Sequence, residues 1–175
     1  MKTSDILRRF LVPAPVVSVY YLAKFGCRIS PRAEVEVTPN LTIGRGTDIS
    51  SFVKVKASHG PLRIGERVMI ATGVFMDAHA GGLEIGDHTM VGPNCVLVAV
   101  NYRYDRLDVP LQDQEKTSKG IRIGKDVWLG ANVVVMDGAV IGDHTIVGPG
   151  SMVSGTLPEK VVANGSPAKV VFKRR

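Results

Sequence analysis

The sequence predicts an all-β solenoid, a parallel β-helix wound from six-residue repeats. Three observations predict it. An aliphatic residue recurs every six positions, glycine follows many of those residues, and the breaks in the series share one place in the coil. The series runs Val37, Ile43, Ile49 and Val55, then Ile64, Ile70 and Met76, then Ile85, Val91 and Leu97. It ends with Ile123, Leu129, Val135, Ile141, Val147 and Val153. A helix with 3.6 residues per turn cannot keep a six-residue pattern on one face, whereas hexads are a signature of parallel β-helices. Each aliphatic side chain points inward and stacks on its equivalent in the next coil, so no coil is stable alone. Glycine directly after the aliphatic residue, as at Gly44, Gly65, Gly86, Gly124 and Gly142, lets the chain turn without a Cβ clash.

The breaks are informative. They lie between Val55 and Ile64, Met76 and Ile85, and Leu97 and Ile123, and exceed an uninterrupted hexad by three, three and twenty residues. Val55, Met76 and Leu97 are three hexads apart. If three hexads close one triangular coil, all three insertions leave the same corner. His59, Asp77, His79, Asn101 and Tyr102 then line one edge, one coil above another at the strand spacing of about 4.8 Å. Loops grafted on a rigid scaffold often carry function, so the working edge is expected there.

Outside the hexads, residues 1–30 are expected to form an N-terminal cap of one or two short helices. Residues 31–157 form the β-helix with a long loop over 98–122. Residues 158–175 form a C-terminal cap and basic tail, with short strands at 161–163 and 170–172 protecting the edge of the last coil. The apolar stretch from Phe10 to Phe25 contains Pro13, Pro15 and Lys24 and is short for a membrane span. It lacks a signal-peptide cleavage region. A cytoplasmic protein is expected, with peripheral membrane contact as the sharper alternative for this segment.

The bulk numbers agree with one domain of 175 residues, rich in glycine and modest in aromatics. Cys27 and Cys95 match no metal pattern and no disulfide framework, and are read as small core residues. The net charge of +6 attracts anions. No helix-turn-helix, zinc-finger or aromatic platform accompanies it, so nucleic acid is not the expected partner. The four histidines do not fall in a metal motif either. His79 and His88 belong to different corners, and a catalytic zinc would need a His59–His79 pair plus a third ligand. No metal centre is expected.

Several strings carry a family resemblance. They are Tyr104-Asp105-Arg106 with Pro110 and Gln114, then Thr117-Ser118-Lys119-Gly120. Two more are the run Ile123 to Asn132 containing Trp128, and Asn164-Gly165-Ser166-Pro167-Ala168-Lys169-Val170. Together with the hexads they resemble the hexapeptide-repeat acyltransferases, most of all the sugar and polysaccharide O-acetyltransferase branch. The resemblance implies a left-handed helix, a homotrimer with active sites between neighbours, and acetyl-CoA as donor. It also implies a sugar, nucleotide-sugar or glycan acceptor. Trp128 would line the interface near the cleft, and Gly130, Ala131 and Gly148 would expose backbone to the pantetheine arm. Ser118 and Lys119 would approach the donor, and Lys169 with the terminal basic run would attract the CoA phosphates.

The resemblance also places a catalytic histidine three residues before Asp105, where this sequence has Tyr102. Val100 stands where a second histidine is frequent. Acetyl transfer to a hydroxyl still needs a base, and histidine suits it because its pKa lies near working pH. His79 is the local substitute, with Asp77 to orient it and His59 one coil away. Asn101 could donate to an oxyanion, and Tyr102 could orient the acceptor. Arg103 and Arg106 are read as phosphate contacts or surface charge. His88 and His144, each after Gly-Asp, are read as turn or interface residues. The functional expectation is a CoA-dependent O-acetyltransferase. The alternatives are an amino-sugar N-acetyltransferase and a trimeric binding or regulatory protein without catalysis.

Overall fold

The structure, a computed structural model, describes residues 13–175. The cap expected over residues 1–12 lies outside the described residues. The helix Ala14–Phe25 has Pro15 in its first turn, and it ends at Gly26, whose φ of 65° is left-handed and whose N–H bonds Leu22 O. Val17 and Tyr21 are buried against the first coil, and the Tyr21 hydroxyl donates to Glu36 O at 3.1 Å. Val16, Val19 and Leu22 face outward. Among the described residues no helix is long and apolar enough to cross a membrane.

Three stacks of short strands follow and form the walls of a prism. Wall 1 stacks Arg28–Ile29, Asp48–Ile49, Met69–Ile70, Met90–Val91, Trp128–Leu129, Ile146–Val147 and Val161–Gly165 in parallel, and Ala168–Lys173 then adds antiparallel at its end. Wall 2 holds Glu34–Val35, Lys54–Lys56, Phe75–Asp77, Val96–Val98, Val134–Met136 and Met152–Val153. Wall 3 holds Leu41–Ile43, Leu62–Ile64, Leu83–Ile85, Ile121–Ile123, Val140–Ile141 and Thr156–Leu157. The register matches each inward residue to its equivalent one coil on. Val55 faces Met76, Met76 faces Leu97, and Leu97 faces Val135. All four are fully buried, so one apolar column fills the prism.

The turns are built as regularly as the walls. Buried Thr47, Thr89 and Thr145 recur between walls 3 and 1, and their hydroxyls donate to Gly65 O, Gly124 O and Pro158 O. That satisfies carbonyls that the tight turns would otherwise leave unpaired. His88 and His144 sit at left-handed corner positions, with φ of 61° and 59°. His144 pairs with Asp126 at 2.9 Å on the surface. Cys27 and Cys95 are buried free thiols, and burial pushes both pKa values up.

Two details depart from the sequence reading. The coils begin at Arg28, because Arg28–Ile29 already pairs with Asp48–Ile49. The inward residue of the first wall 2 strand is Val35, paired with Val55, and not Val37. Val37 is half-buried at the corner instead. The corner from Val35 to Ile43 is two residues longer than a hexad, and Glu36 holds it from both sides. Its carbonyl accepts from Tyr21, and its carboxylate accepts from the N–H groups of Ala57 and Ser58.

Candidate active site

The three insertions leave wall 2 at residues 56, 77 and 98 and enter wall 3 at 62, 83 and 121. They share one corner, which makes a vertical edge of polar and aromatic side chains. At its middle stand His59, Asp77 and His79. The two imidazoles are stacked, with ring centroids 4.8 Å apart and planes 7° from parallel. The Asp77 carboxylate approaches His79 Nε2 through Oδ1 at 3.7 Å, and Lys56 Nζ through Oδ2 at 3.6 Å. Oδ1 is buried and has no hydrogen-bond partner. Burial lowers the His79 pKa, Asp77 opposes that shift, and His59, Lys116 and Lys56 add to it. His79 therefore favours its neutral form, with a free lone pair.

Local backbone geometry fixes this arrangement. Asp77 ends a wall 2 strand and is in register with Lys56 and Val98. Gly60 must be glycine, since a Cβ there would collide with the His79 carbonyl. The long excursion starts above, as a hairpin pairing Asn101 with Thr117 and Tyr102 with Lys116. Asn101 and Tyr102 are exposed, and the Lys116 ammonium lies 5.2 Å from the centre of the Tyr102 ring. Arg103 is clamped by Asp105 and Arg106 by Asp108, so both arginines are already paired within the loop. Gln114 is buried at the loop's centre and donates to Arg106 O at 2.7 Å and Val109 O at 3.0 Å.

The foot of the loop is closed by two residues. Ser118 donates to Ala99 O at 2.6 Å and accepts from Gly81 N at 2.9 Å, so its hydroxyl is spent on the scaffold. Asp137 accepts from Lys119 N and Gly120 N, with three distances of 2.8 to 3.0 Å. Asp137, Lys56 and Lys116 were missed in the sequence. Their partners lie a coil or a loop away, and only the hexad count, carried through to pairwise neighbours, could have flagged them.

The remaining predicted residues lie elsewhere. Trp128 is half-exposed on the outer face of wall 1, in register with Met90 below and Ile146 above. Met69, Met90 and Trp128 make an outward apolar stripe there. Gly130 is buried and Gly148 half-buried, and the space a Cβ would take is filled by Pro149 and Asn164 of the next coil. Both glycines are thus needed for stacking. Ala131 follows at the wall 1 to wall 2 turn, and Lys169 is exposed on the last strand. In a triangular prism wall 1 lies opposite the corner between walls 2 and 3. One chain therefore does not bring Trp128 and His79 together.

Residues 120–155 match the family model described as bacterial transferase hexapeptide (six repeats). The chain is 30% identical over 167 residues to WbbJ of Escherichia coli K12, named a putative lipopolysaccharide biosynthesis O-acetyl transferase, covering 87% of this chain and 78% of that one. The chain belongs to the hexapeptide-repeat transferase family. As in that family, its solenoid is a left-handed parallel β-helix. A probable acetyltransferase of Mycobacterium tuberculosis is 32% identical over 145 residues, 81% of this chain, and the chain spans about half (48%) of that relative's length. Among solved structures, PerB from Caulobacter crescentus, in complex with CoA and GDP-perosamine, superposes with a TM-score of 0.63 at 29% identity. That match covers 82% of this chain and 56% of PerB.

Proposed function

We propose that this hexapeptide-repeat transferase moves an acetyl group from acetyl-CoA to a hydroxyl of a sugar or glycan precursor, with His79 as the base. The observation that carries the assignment is the half-buried His79–Asp77 pair at the foot of the long excursion, in the corner from which every insertion leaves. Family relatives named as O-acetyltransferases support the reaction class, and the PerB complex with CoA supports the donor.

The chemistry follows from direct transfer. His79 takes the acceptor hydroxyl proton on Nδ1, its Nε2 being the nitrogen that faces Asp77, as that oxygen attacks the thioester carbonyl. The tetrahedral oxyanion collapses, the C–S bond breaks, and the imidazolium returns the proton to the CoA thiolate. Asp77 stabilises the imidazolium in between, and Lys56 pairs with the other oxygen of the same carboxylate. Asn101 and Tyr102, on the hairpin above, are suited to hold the oxyanion and the acceptor. Lys119 and Lys169 are free to meet the phosphates of CoA. Ser118 shapes the loop base.

The opposed positions of Trp128 and His79 support a site completed between two copies of a homotrimer. The corner of one chain would face wall 1 of the next, and the apolar stripe on wall 1 would be covered. Exposed Val16, Val19 and Leu22 on the first helix support a peripheral membrane contact near lipid-linked precursors. The PerB complex with GDP-perosamine favours testing nucleotide-linked amino sugars as acceptors as well, which would make the transfer an N-acetylation.

Release of free CoA against a panel of nucleotide sugars and oligosaccharides tests the activity. His79→Gln is expected to lower kcat by about 10²- to 10⁴-fold while acetyl-CoA binding, read by calorimetry, stays unchanged. Unaltered turnover in that variant would remove His79 as the base.

A further inference from the structure

We propose that His59, Asp77 and His79 form a binding site for one divalent transition-metal ion of the zinc class. Each offers one ligand atom, and the three atoms lie within 4.8 Å of one another. The spacing between Asp77 Oδ1 and His79 Nε2 is the telling one. At 3.7 Å it is too long for a hydrogen bond. Two ligands at about 2.1 Å from a tetrahedral ion are themselves about 3.4 Å apart, so the observed gap is close to the size of an ion.

The second observation is independent of the spacing. Asp77 Oδ1 is a buried carboxylate oxygen without a hydrogen-bond partner, although the other oxygen of the same carboxylate is engaged by Lys56. Buried carboxylate oxygens are normally satisfied, and a bound cation would satisfy this one without disturbing the Lys56 pair. Neutral imidazole is the form that ligates a metal.

Two nitrogen ligands and one carboxylate oxygen suit zinc and its neighbours, and do not suit calcium or magnesium. His59 is exposed, so a fourth position opens to solvent for a water molecule. The sequence reading lacked a third ligand for a His59–His79 pair, and Asp77 provides it because all three residues leave the same corner.

An ion on Nε2 would keep the ring proton on Nδ1, the nitrogen that acetyl transfer needs unprotonated. Metal binding and proton acceptance at His79 are then mutually exclusive, and zinc is expected to inhibit transfer. That consequence rests on the proposed acetyltransferase reading, whereas the metal site does not.

The test titrates the chelator-stripped full chain with zinc chloride against a chromogenic zinc indicator, with cobalt(II) absorption as a second probe. One tight site per chain is expected, with tetrahedral-type cobalt bands. Affinity should fall at least tenfold in His59→Ala and in Asp77→Asn, and should be unchanged in His144→Ala, which removes the separate surface His–Asp pair. Circular dichroism confirms the fold of each variant. Failure to bind, or binding insensitive to both His59→Ala and Asp77→Asn, overturns the site. Zinc binding in a protein without turnover on any acceptor supports the metal site and counts against the transfer reading. With turnover, the zinc concentration for half-inhibition should rise at least tenfold in His59→Ala.

Discussion

Two aspartates on the same corner are treated in opposite ways. Asp137 is almost fully buried, and both its oxygens accept backbone N–H groups from Lys119 and Gly120. Asp77 keeps one oxygen without a partner beside His79. The first builds the corner, and the second leaves an acceptor unused beside His79. Asp137→Ala strands two N–H groups at the loop's foot and is expected to cost about 1–3 kcal/mol, read as a lower midpoint in urea unfolding. Asp77 and His79 were legible in the sequence, because counting hexads placed them on the insertion edge. Asp137 was not. It stands in an ordinary hexad turn, and nothing local shows that its acceptors face a loop returning from another coil.

The excursion of residues 99–120 leaves the walls between Val98 and Ile121. Hexad phase predicted where it leaves and returns, because Leu97 and Ile123 stay on the inward ladder. Its internal order was not legible. The hairpin strands Asn101–Tyr102 and Lys116–Thr117 are two residues each, too short for alternation to register. Its tip is held by a single buried amide, Gln114, bonded to two carbonyls across the turn. Gln114→Leu is expected to open the tip and speed proteolytic cleavage within residues 103–113, while the melting transition of the coils stays in place. Cleavage at the wild-type rate would show that the paired arginines hold the loop without it. The Val35 correction has the same origin as the hidden hairpin. A corner two residues longer keeps an aliphatic residue near the core, and the repeat alone cannot say which of two valines faces inward.

At the scale of the molecule, stability comes from one column of stacked aliphatic side chains, and each coil rests only on its neighbours. Leu97 sits at its middle, fully buried between Met76 and Val135. Leu97→Ala is expected to cost about 2–5 kcal/mol, measured by denaturant unfolding. Among the described residues the outer face of wall 1 has no such cover, and Met90 and Trp128 are 41% and 49% exposed. If a second copy covers them, the double variant Met90→Lys, Trp128→Lys should change the mass in solution from about three chains to one chain of 18.8 kDa, read by light scattering. A wild-type protein that is monomeric would remove the shared cleft. The prism has a further property. The 4.8 Å between the stacked imidazoles is also the rise from one coil to the next. Groups on this corner are graduated like marks on a rail. A coil added below His59 leaves every distance above it intact. A coil added between His79 and Tyr102 lifts the hairpin by one whole step and leaves the walls unbent. A lineage on this scaffold can therefore retune its cleft by counting coils, in fixed increments, without reshaping its core.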